Sequence, residues 1–269
     1  TRARPVDEDY FMVKVDNQFS DSDSLFVRYT LDDASRIQPR NYKEFFTEAE
    51  TRSQYATIEY NKILSPTWLN TFRFGLNRSK GGDINRVQGL DASYNVIDAS
   101  DRIPPTLTTG TIAEWGGSNA ADRFSIVNVF QFTDKLTYTQ GRHSIRAGVD
   151  VYRYHLNGSN RPRLHGRMRF NSYEDFLEGR PRRLEFLFPG TGGMRGFRQT
   201  VPGFYIQDDF QIRPNLTLNL GLRFEFVTIP TEVAGRISNL WDVYGDTELT
   251  VGDPFFLLPK NNFGPRFGF

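Results

Sequence analysis

The stretch Leu216-Thr217-Leu218-Asn219-Leu220-Gly221-Leu222-Arg223-Phe224-Glu225-Phe226 decides the fold. Every second residue is Leu or Phe, and every intervening one is polar, charged or Gly. A period of two places the apolar set on one face of an extended strand and the polar set on the other. A helix would scatter both sets around its circumference. The same period recurs upstream. Phe11, Val13 and Val15 alternate with Met12, Lys14 and Asp16. Leu25, Val27, Tyr29 and Leu31 alternate with Phe26, Arg28, Thr30 and Asp32. Ala56, Ile58 and Tyr60 follow, then Phe72, Phe74 and Leu76. Val127 and Val129 open a further strand that runs to about Tyr138. Ile145, Ala147, Val149 and Val151 alternate with Arg146, Gly148, Asp150 and Tyr152, and Ile206, Phe210 and Ile212 complete the set. Eight strands of about ten residues result, with the start of a ninth at Phe263–Phe269.

The connections alternate in length. Short turns fall at Ser20-Asp21-Ser22-Asp23, Ser65-Pro66-Thr67, Gln140-Gly141-Arg142 and Arg213-Pro214-Asn215, all built from hairpin-turn residues. Between them run long connections at about residues 33–50, 79–122, 156–200 and 228–261. Long loops confined to one end of antiparallel strands are the pattern of a transmembrane β-barrel. Only helices and closed barrels satisfy every backbone polar group in lipid. No window of the sequence is a spanning helix, which needs about 20 apolar residues; the longest apolar runs are short, such as Phe255-Phe256-Leu257-Leu258.

Composition agrees once it is read by faces. Mean hydropathy is only −0.52, yet aromatics make up 14% of the 269 residues. Disordered chains are poor in aromatics. A barrel wall needs one apolar residue in two and collects aromatics at its rims, where Tyr29, Tyr60, Trp68, Tyr138 and Phe226 are expected. A soluble β-sandwich also alternates, but its strands are shorter and its loops are not sorted by end. The net charge of +1 offers no field for nucleic acid. The absence of Cys removes disulfides and thiolate chemistry. The start at Thr1, without Met or an apolar leader, reads as a removed signal peptide or an internal piece.

The segment Gly203-Phe204-Tyr205-Ile206-Gln207-Asp208-Asp209-Phe210-Gln211-Ile212-Arg213-Pro214-Asn215, continuing through Leu216-Thr217-Leu218-Asn219-Leu220-Gly221-Leu222-Arg223, resembles a recurrent hairpin of TonB-dependent outer-membrane transporters. More narrowly it resembles the Oar-like branch. Arg4-Pro5-Val6-Asp7-Glu8-Asp9, Leu64-Ser65-Pro66-Thr67-Trp68-Leu69-Asn70, Gly141-Arg142-His143-Ser144-Ile145-Arg146-Ala147-Gly148, Asp175-Phe176-Leu177-Glu178-Gly179 and Asn261-Asn262-Phe263-Gly264-Pro265-Arg266-Phe267-Gly268 fit the same branch. The resemblance implies an all-β antiparallel barrel in the outer membrane of a Gram-negative-type cell. It implies, as partners, a plug domain, the TonB system and a transported solute, together with outer-membrane lipid and lipopolysaccharide. The family's barrel has 22 strands. Residues 1–269 therefore read as part of one barrel domain, with no plug segment visible. The expected function is a barrel-wall segment of a receptor for energised uptake of a siderophore, an oligosaccharide or a similar solute. A structural or secretion-linked outer-membrane barrel and a soluble β-rich binding module are the alternatives.

No catalytic constellation appears, so no enzyme activity and no cofactor are expected. His143, His155 and His165 lack metal-ligand spacing and read as solvated loop histidines. Gly190-Thr191-Gly192-Gly193-Met194-Arg195-Gly196 lacks the Lys and the strand-to-helix context of a phosphate loop. Asn171-Ser172-Tyr173-Glu174-Asp175-Phe176-Leu177-Glu178-Gly179 predicts a two-turn helix on the barrel mouth, with a cap, early acids and a terminal Gly. The third long connection is basic. Ten Arg lie between Arg153 and Arg198, against Glu174, Asp175, Glu178 and Glu185. Arg favours bidentate phosphate and carboxylate partners. Arg161, Arg163, Arg167 and Arg169 are therefore ligand-binding candidates for an anion, and Trp115 and Trp241 for stacking; contact with lipopolysaccharide and a plain solvated face are the other readings. Tyr94, Trp115, Trp241 and Tyr244 serve equally well to pack the loops together.

Overall fold

The computed structural model describes residues 3–96, 102–191, 193–252, 258 and 261–269. The apolar run at 255–257, and Gly192 of the glycine-rich loop, lie outside the described residues. Four long strands come first: β1 (Val6–Ser20), β2 (Asp23–Pro39), β3 (Phe45–Ser65) and β4 (Trp68–Val87). A short β5 (Thr106–Thr108) precedes β6 (Arg123–Gln140) and β7 (His143–Asn160). Then come β8 (Arg167–Arg169), the helix α1 (Tyr173–Leu177) and β9 (Arg183–Glu185). The long β10 (Arg195–Arg213) and β11 (Leu216–Glu225) follow. The chain ends with β12 (Thr231–Glu232), β13 (Ser238–Asn239), β14 (Thr250–Val251) and β15 (Phe263–Gly268).

The long strands form one antiparallel sheet in the order β1-β2-β3-β4-β6-β7-β10-β11-β15. Each pairs with its sequence neighbour across a hairpin or a long loop, so the wall is a simple meander. β1 and β15 lie at its two edges, and the barrel is partial and open. Among the described residues, no helix is long and apolar enough to cross a membrane.

Four turns sit where the turn residues predict them. Ser20 Oγ donates to Asp23 Oδ2 at 2.8 Å, and Gly141 takes φ 62°. The strands are longer than predicted, at 21 residues for β3 and 20 for β4. Crossing a bilayer takes roughly 9–11 tilted residues. Beyond the lipid both faces meet water, so alternation fades although the backbone ladder continues. The first long connection, expected at about 33–50, is therefore mostly strand: β2 runs to Pro39 and β3 begins at Phe45.

The register lines up the apolar face. Val15, Val27, Ile58, Phe74, Phe132 and Val151 form one row across β1 to β7. Leu25, Tyr60 and Phe72 lie in the next row toward the short turns, with Val149, Phe204, Phe224 and Phe263. β6 corrects the sequence reading. Its apolar face is Phe130, Phe132, Leu136 and Tyr138, whereas Val127 and Val129 pair with Ser79 and Asn77 on the polar face. The β-branched pair had masked the true parity. Carboxylates interrupt the apolar face toward the short turns: Asp134 opposite Phe72, accepting from Asn70 Nδ2 at 2.5 Å, Asp23 opposite Lys62, and Asp208 between Ile145 and Leu220.

Aromatic girdles mark both limits of the apolar face. Trp68 packs on Tyr138 at 4.6 Å near the short turns. Tyr29 lies at the upper limit, mid-strand rather than at a strand end, and its hydroxyl accepts from Gln54 Nε2 at 2.7 Å. The opposite face is polar and internally bonded. Thr133 donates to Asp150 at 2.9 Å, Arg223 reaches Asp150 at 3.3 Å, and Arg146 reaches Asp209 at 2.9 Å. Gly148 makes room for this layer, because a Cβ there would fall 2.6 Å from the Tyr205 hydroxyl.

A single-layer wall has no core of its own. Among the described residues the buried apolar side chains include Phe45, Ala121, Leu164 and Ile237, all at the long-loop end.

Candidate functional site

The long loops close into a cap, and the cap is where chemistry concentrates. Its frame is a small sheet that stitches two loops together. β5 pairs parallel with β8, and β8 pairs antiparallel with β9. Leu107 and Trp115 form a further bridge. The turn between β2 and β3 joins in, since Arg40 reaches Glu114 at 3.0 Å and Asn41 Nδ2 donates to the Glu114 carbonyl at 3.0 Å. Phe45 then closes edge-on against Trp115 at 4.8 Å.

Asn85, near the end of β4, is the polar hub. Its amide donates to the Ser118 carbonyl at 2.8 Å and to Asp122 Oδ2 at 2.8 Å. Its carbonyl oxygen accepts from the Ser118 N–H at 2.7 Å. Asp122, buried and in the left-handed region at φ 66°, faces His165 Nε2 at 2.9 Å. His165 Nδ1 accepts from the Ile103 N–H at 3.0 Å. That acceptor role leaves the ring proton on Nε2, which lies close to Asp122 without the alignment of a hydrogen bond. His165 is therefore not a solvated loop histidine, as expected from sequence, but a buried tie between two loops. The other two also have set places. His143 stacks on Phe210 at 4.3 Å and meets Asp208 at 2.7 Å, and His155 stands on β7 beside Phe130.

The fourth loop is anchored by Glu232. Its side chain is fully buried, and its oxygens accept from the N–H groups of Arg236 at 2.9 Å, Gly196 at 3.1 Å and Ala234 at 2.9 Å. These donors, the Arg236 N–H foremost, hold the carboxyl down at about 2. A depressed carboxyl stabilises the fold above its unfolded value and loses that contribution as pH falls through the folded value. The Glu232 anchor is expected to persist to about pH 3 and to release below about pH 2. Amide hydrogen exchange at Gly196, Ala234 and Arg236 measured from pH 5 to pH 2 reads this directly. Release already at pH 4–5 would contradict it.

The predicted site residues are dispersed. Arg163 and Arg169 converge with Arg183 on Glu185, at 3.3, 3.7 and 3.2 Å. Arg167 faces Glu114 at 3.6 Å. The few acids near this loop are thus surrounded by cations, and these arginines staple strands β8 and β9. Arg161 lines a cavity of about 480 Å³ with Arg102, Leu164, Thr191 and Met194. Trp115 is half-buried in the cap, whereas Trp241 lies exposed in another loop, its N–H bonded to Asp246. Tyr94 and Tyr244 are exposed as well. The helix α1 is shorter than expected. Ser172 is its cap, accepting from the Asp175 N–H at 3.0 Å, and Gly179 ends the turn at φ 66°.

A second cavity, about 590 Å³, opens on the polar face. Arg28, Tyr55, Asn77, Gln131, Tyr152 and Tyr154 line it. Gln131 Nε2 donates to the Tyr152 hydroxyl at 3.0 Å. Its signal in the sequence is tyrosine at positions where alternation calls for polar residues, but only the register brings those positions from several strands together.

Comparison with known proteins follows this geometry. Residues 1–269 match the family described as outer membrane beta barrel domain. No curated protein matches the sequence. Among solved structures, the ferric-catecholate import receptor Fiu from K12 E. coli, in its closed form, is similar at 12% identity with a TM-score of 0.45. The alignment covers 97% of this chain and 40% of that one, so the chain spans well under half of that receptor's length.

Proposed function

The chain belongs to the outer membrane beta barrel domain family and resides in an outer membrane, and from that premise we propose that it is barrel wall of a TonB-dependent receptor of the Oar-like branch. Such a receptor takes in a large or scarce solute, a siderophore, an oligosaccharide or a similar molecule, with energy delivered from the inner membrane. The observation that carries this reading is the pairing of an open nine-strand path with a hydrogen-bonded polar face. A narrow barrel fills its interior with its own side chains. This polar face instead lies open, with Arg223, Asp150 and Glu225 linked into a network that a plug domain could meet. The hairpin at residues 203–225 supports the same branch. The long loops supply two kinds of solute contact: the Arg161 cavity in the cap for an anion, and exposed Trp241 and Tyr244 in a separate loop for a ring.

The test is uptake in cells lacking the full-length protein. Labelled iron chelates and oligosaccharides are supplied with and without a protonophore. One solute class is expected to lose most of its energised uptake in the deletion strain. Unchanged uptake across the panel, with altered envelope integrity, would replace this reading with a structural barrel.

A further inference from the structure

Height sorts the polar face of the wall. Phe26, Glu59, Arg73, Thr133, Asp150 and Gly203 form one row across β2 to β10, with Glu225 beyond on β11. Ions dominate it: Arg73 bonds Glu59, and Arg223 meets Asp150 at 3.3 Å. The next row toward the long loops is Arg28, Thr57, Gly75, Gln131, Tyr152 and Val201. The row after that is Thr30, Tyr55, Asn77, Val129, Tyr154 and Gln199. Neither contains Asp or Glu, and Arg28 is the only charged residue in the two. The ionic layer therefore stops within one row, and a band of rings, amides and hydroxyls replaces it.

The cavity of about 590 Å³ lies in this band. Tyr152 and Tyr154 stack there, with ring centroids 6.3 Å apart and planes within 16°. Tyr55, 40% exposed, stands in the same row as Tyr154. Gln131 Nε2 donates to the Tyr152 hydroxyl at 3.0 Å and to Thr133 Oγ1 at 3.3 Å, which orients the amide. Higher on β7, Leu156 faces Phe197 in a further cavity of about 530 Å³. That cavity reaches Asp83, whose carbonyl accepts from the Asp122 N–H of the cap at 2.7 Å. Rings and apolar side chains thus line β7 from Tyr152 upward to the cap.

We propose that this band is a second solute site, a ring-stacking track for neutral oligosaccharide on the polar face of the wall below the cap. It deepens the uptake reading and rests on it for the solute's passage. A pyranose presents two kinds of surface. Its C–H faces carry partial positive charge and pack on the negative face of an aromatic ring. Its hydroxyls each donate and accept, and an amide or hydroxyl side chain answers both roles. Tyr55, Tyr152 and Tyr154 supply the faces, and Thr30, Thr57, Asn77 and Gln131 supply the hydroxyl partners. The volume falls in the usual range of ligand pockets, roughly 300–1,000 Å³. An anionic iron chelate would meet a single cation between β2 and β10, Arg28. The ions that would pair with a plug lie in the row below.

The test is calorimetric titration of the purified full-length protein in detergent. The probes are maltohexaose, cellohexaose and xylohexaose, the open-chain alditol sorbitol, and a ferric tris-catecholate. Wild type is expected to bind at least one hexasaccharide, and to bind sorbitol, which has hydroxyls without ring faces, roughly a hundredfold more weakly. Y152A/Y154A is expected to weaken hexasaccharide binding by at least about tenfold, whereas Y152F/Y154F, which keeps both rings, stays within a fewfold. Absence of hexasaccharide binding by wild type overturns the proposal, and that result needs no variant to fold. Protection of Tyr152 and Tyr154 from oxidative labelling would then mark the band as a plug contact. Equal affinity in folded Y152A/Y154A also overturns it, as does an equal loss in the alanine and phenylalanine variants. Wild type preferring the catecholate, with that binding weakened by Y152A/Y154A, overturns the assignment to neutral sugar. The two readings fail separately. Hexasaccharide binding without energised uptake keeps the track and removes transport, and energised uptake of the catecholate without hexasaccharide binding does the reverse.

Discussion

Replacing Phe132 with arginine is expected to destabilise the barrel by roughly 2–4 kcal/mol, whereas the same change at neighbouring Gln131 costs less than about 1 kcal/mol. The two side chains are adjacent in sequence and opposite in environment. Phe132 lies in the apolar row between Phe74 and Val151, near mid-height of the band. A guanidinium there must displace lipid contact and cannot reach headgroups without distorting its neighbours. Gln131 faces the polar interior between Gly75 and Tyr152, where Arg28 is already accommodated. Urea-driven unfolding of the full-length protein from lipid vesicles measures both. Equal losses at the two positions would mean that the faces are misassigned, and would revive the soluble β-rich reading.

Asn85→Ala is expected to open the cap while leaving the wall intact. The change removes two donors and an acceptor from a buried site and strands Asp122 against His165. Unsatisfied buried polar groups cost about 1–3 kcal/mol each, more when charged. A local loss of about 3 kcal/mol raises the open population on the order of a hundredfold. Where opening is fast relative to cleavage, proteolysis follows that population. Limited proteolysis of residues 103–121 and 161–191 in sealed vesicles should accelerate by a similar factor. The urea midpoint of the strands should stay within experimental error. Unchanged nicking would show that the cap does not depend on this hub. A shifted strand midpoint would show that cap and wall unfold as one unit.

The wall was legible because lipid imposes a rule on every second residue. Leu216 to Phe226 carries that rule without interruption, and its partners inherit it through the ladder. It failed at β6, where Val127 and Val129 look lipid-facing by composition. Only their pairing with Ser79 and Asn77 shows that they belong to the other face. It failed again beyond the band: β2 and β3 pair as far as Pro39 and Phe46 with polar residues on both sides. Backbone hydrogen bonds leave no mark in side-chain period once both faces are wet.

The cap was hardly legible. The basic loop was visible as an excess of Arg, but charge counting cannot distinguish an open cation from one held by a carboxylate. Glu185 and Glu114 occupy Arg163, Arg167, Arg169 and Arg183, whereas Arg78, Arg153 and Arg198 bond the neutral side chains of Asn128, Thr200 and Asn157. His165 looked like a loop residue because its burial depends on Asp122 and Ile103, which lie 43 and 62 positions away. Strand period, turn positions, the end that carries the long loops and the membrane environment are written along the chain, since strands and turns depend on residues within about a dozen positions and loop length is itself a spacing in sequence. Tertiary structure alone decided which strand faces align, which charges are neutralised and how the loops lock together. Those properties arise from pairs that meet only after long stretches of chain have been closed into loops, and no local period records such a meeting.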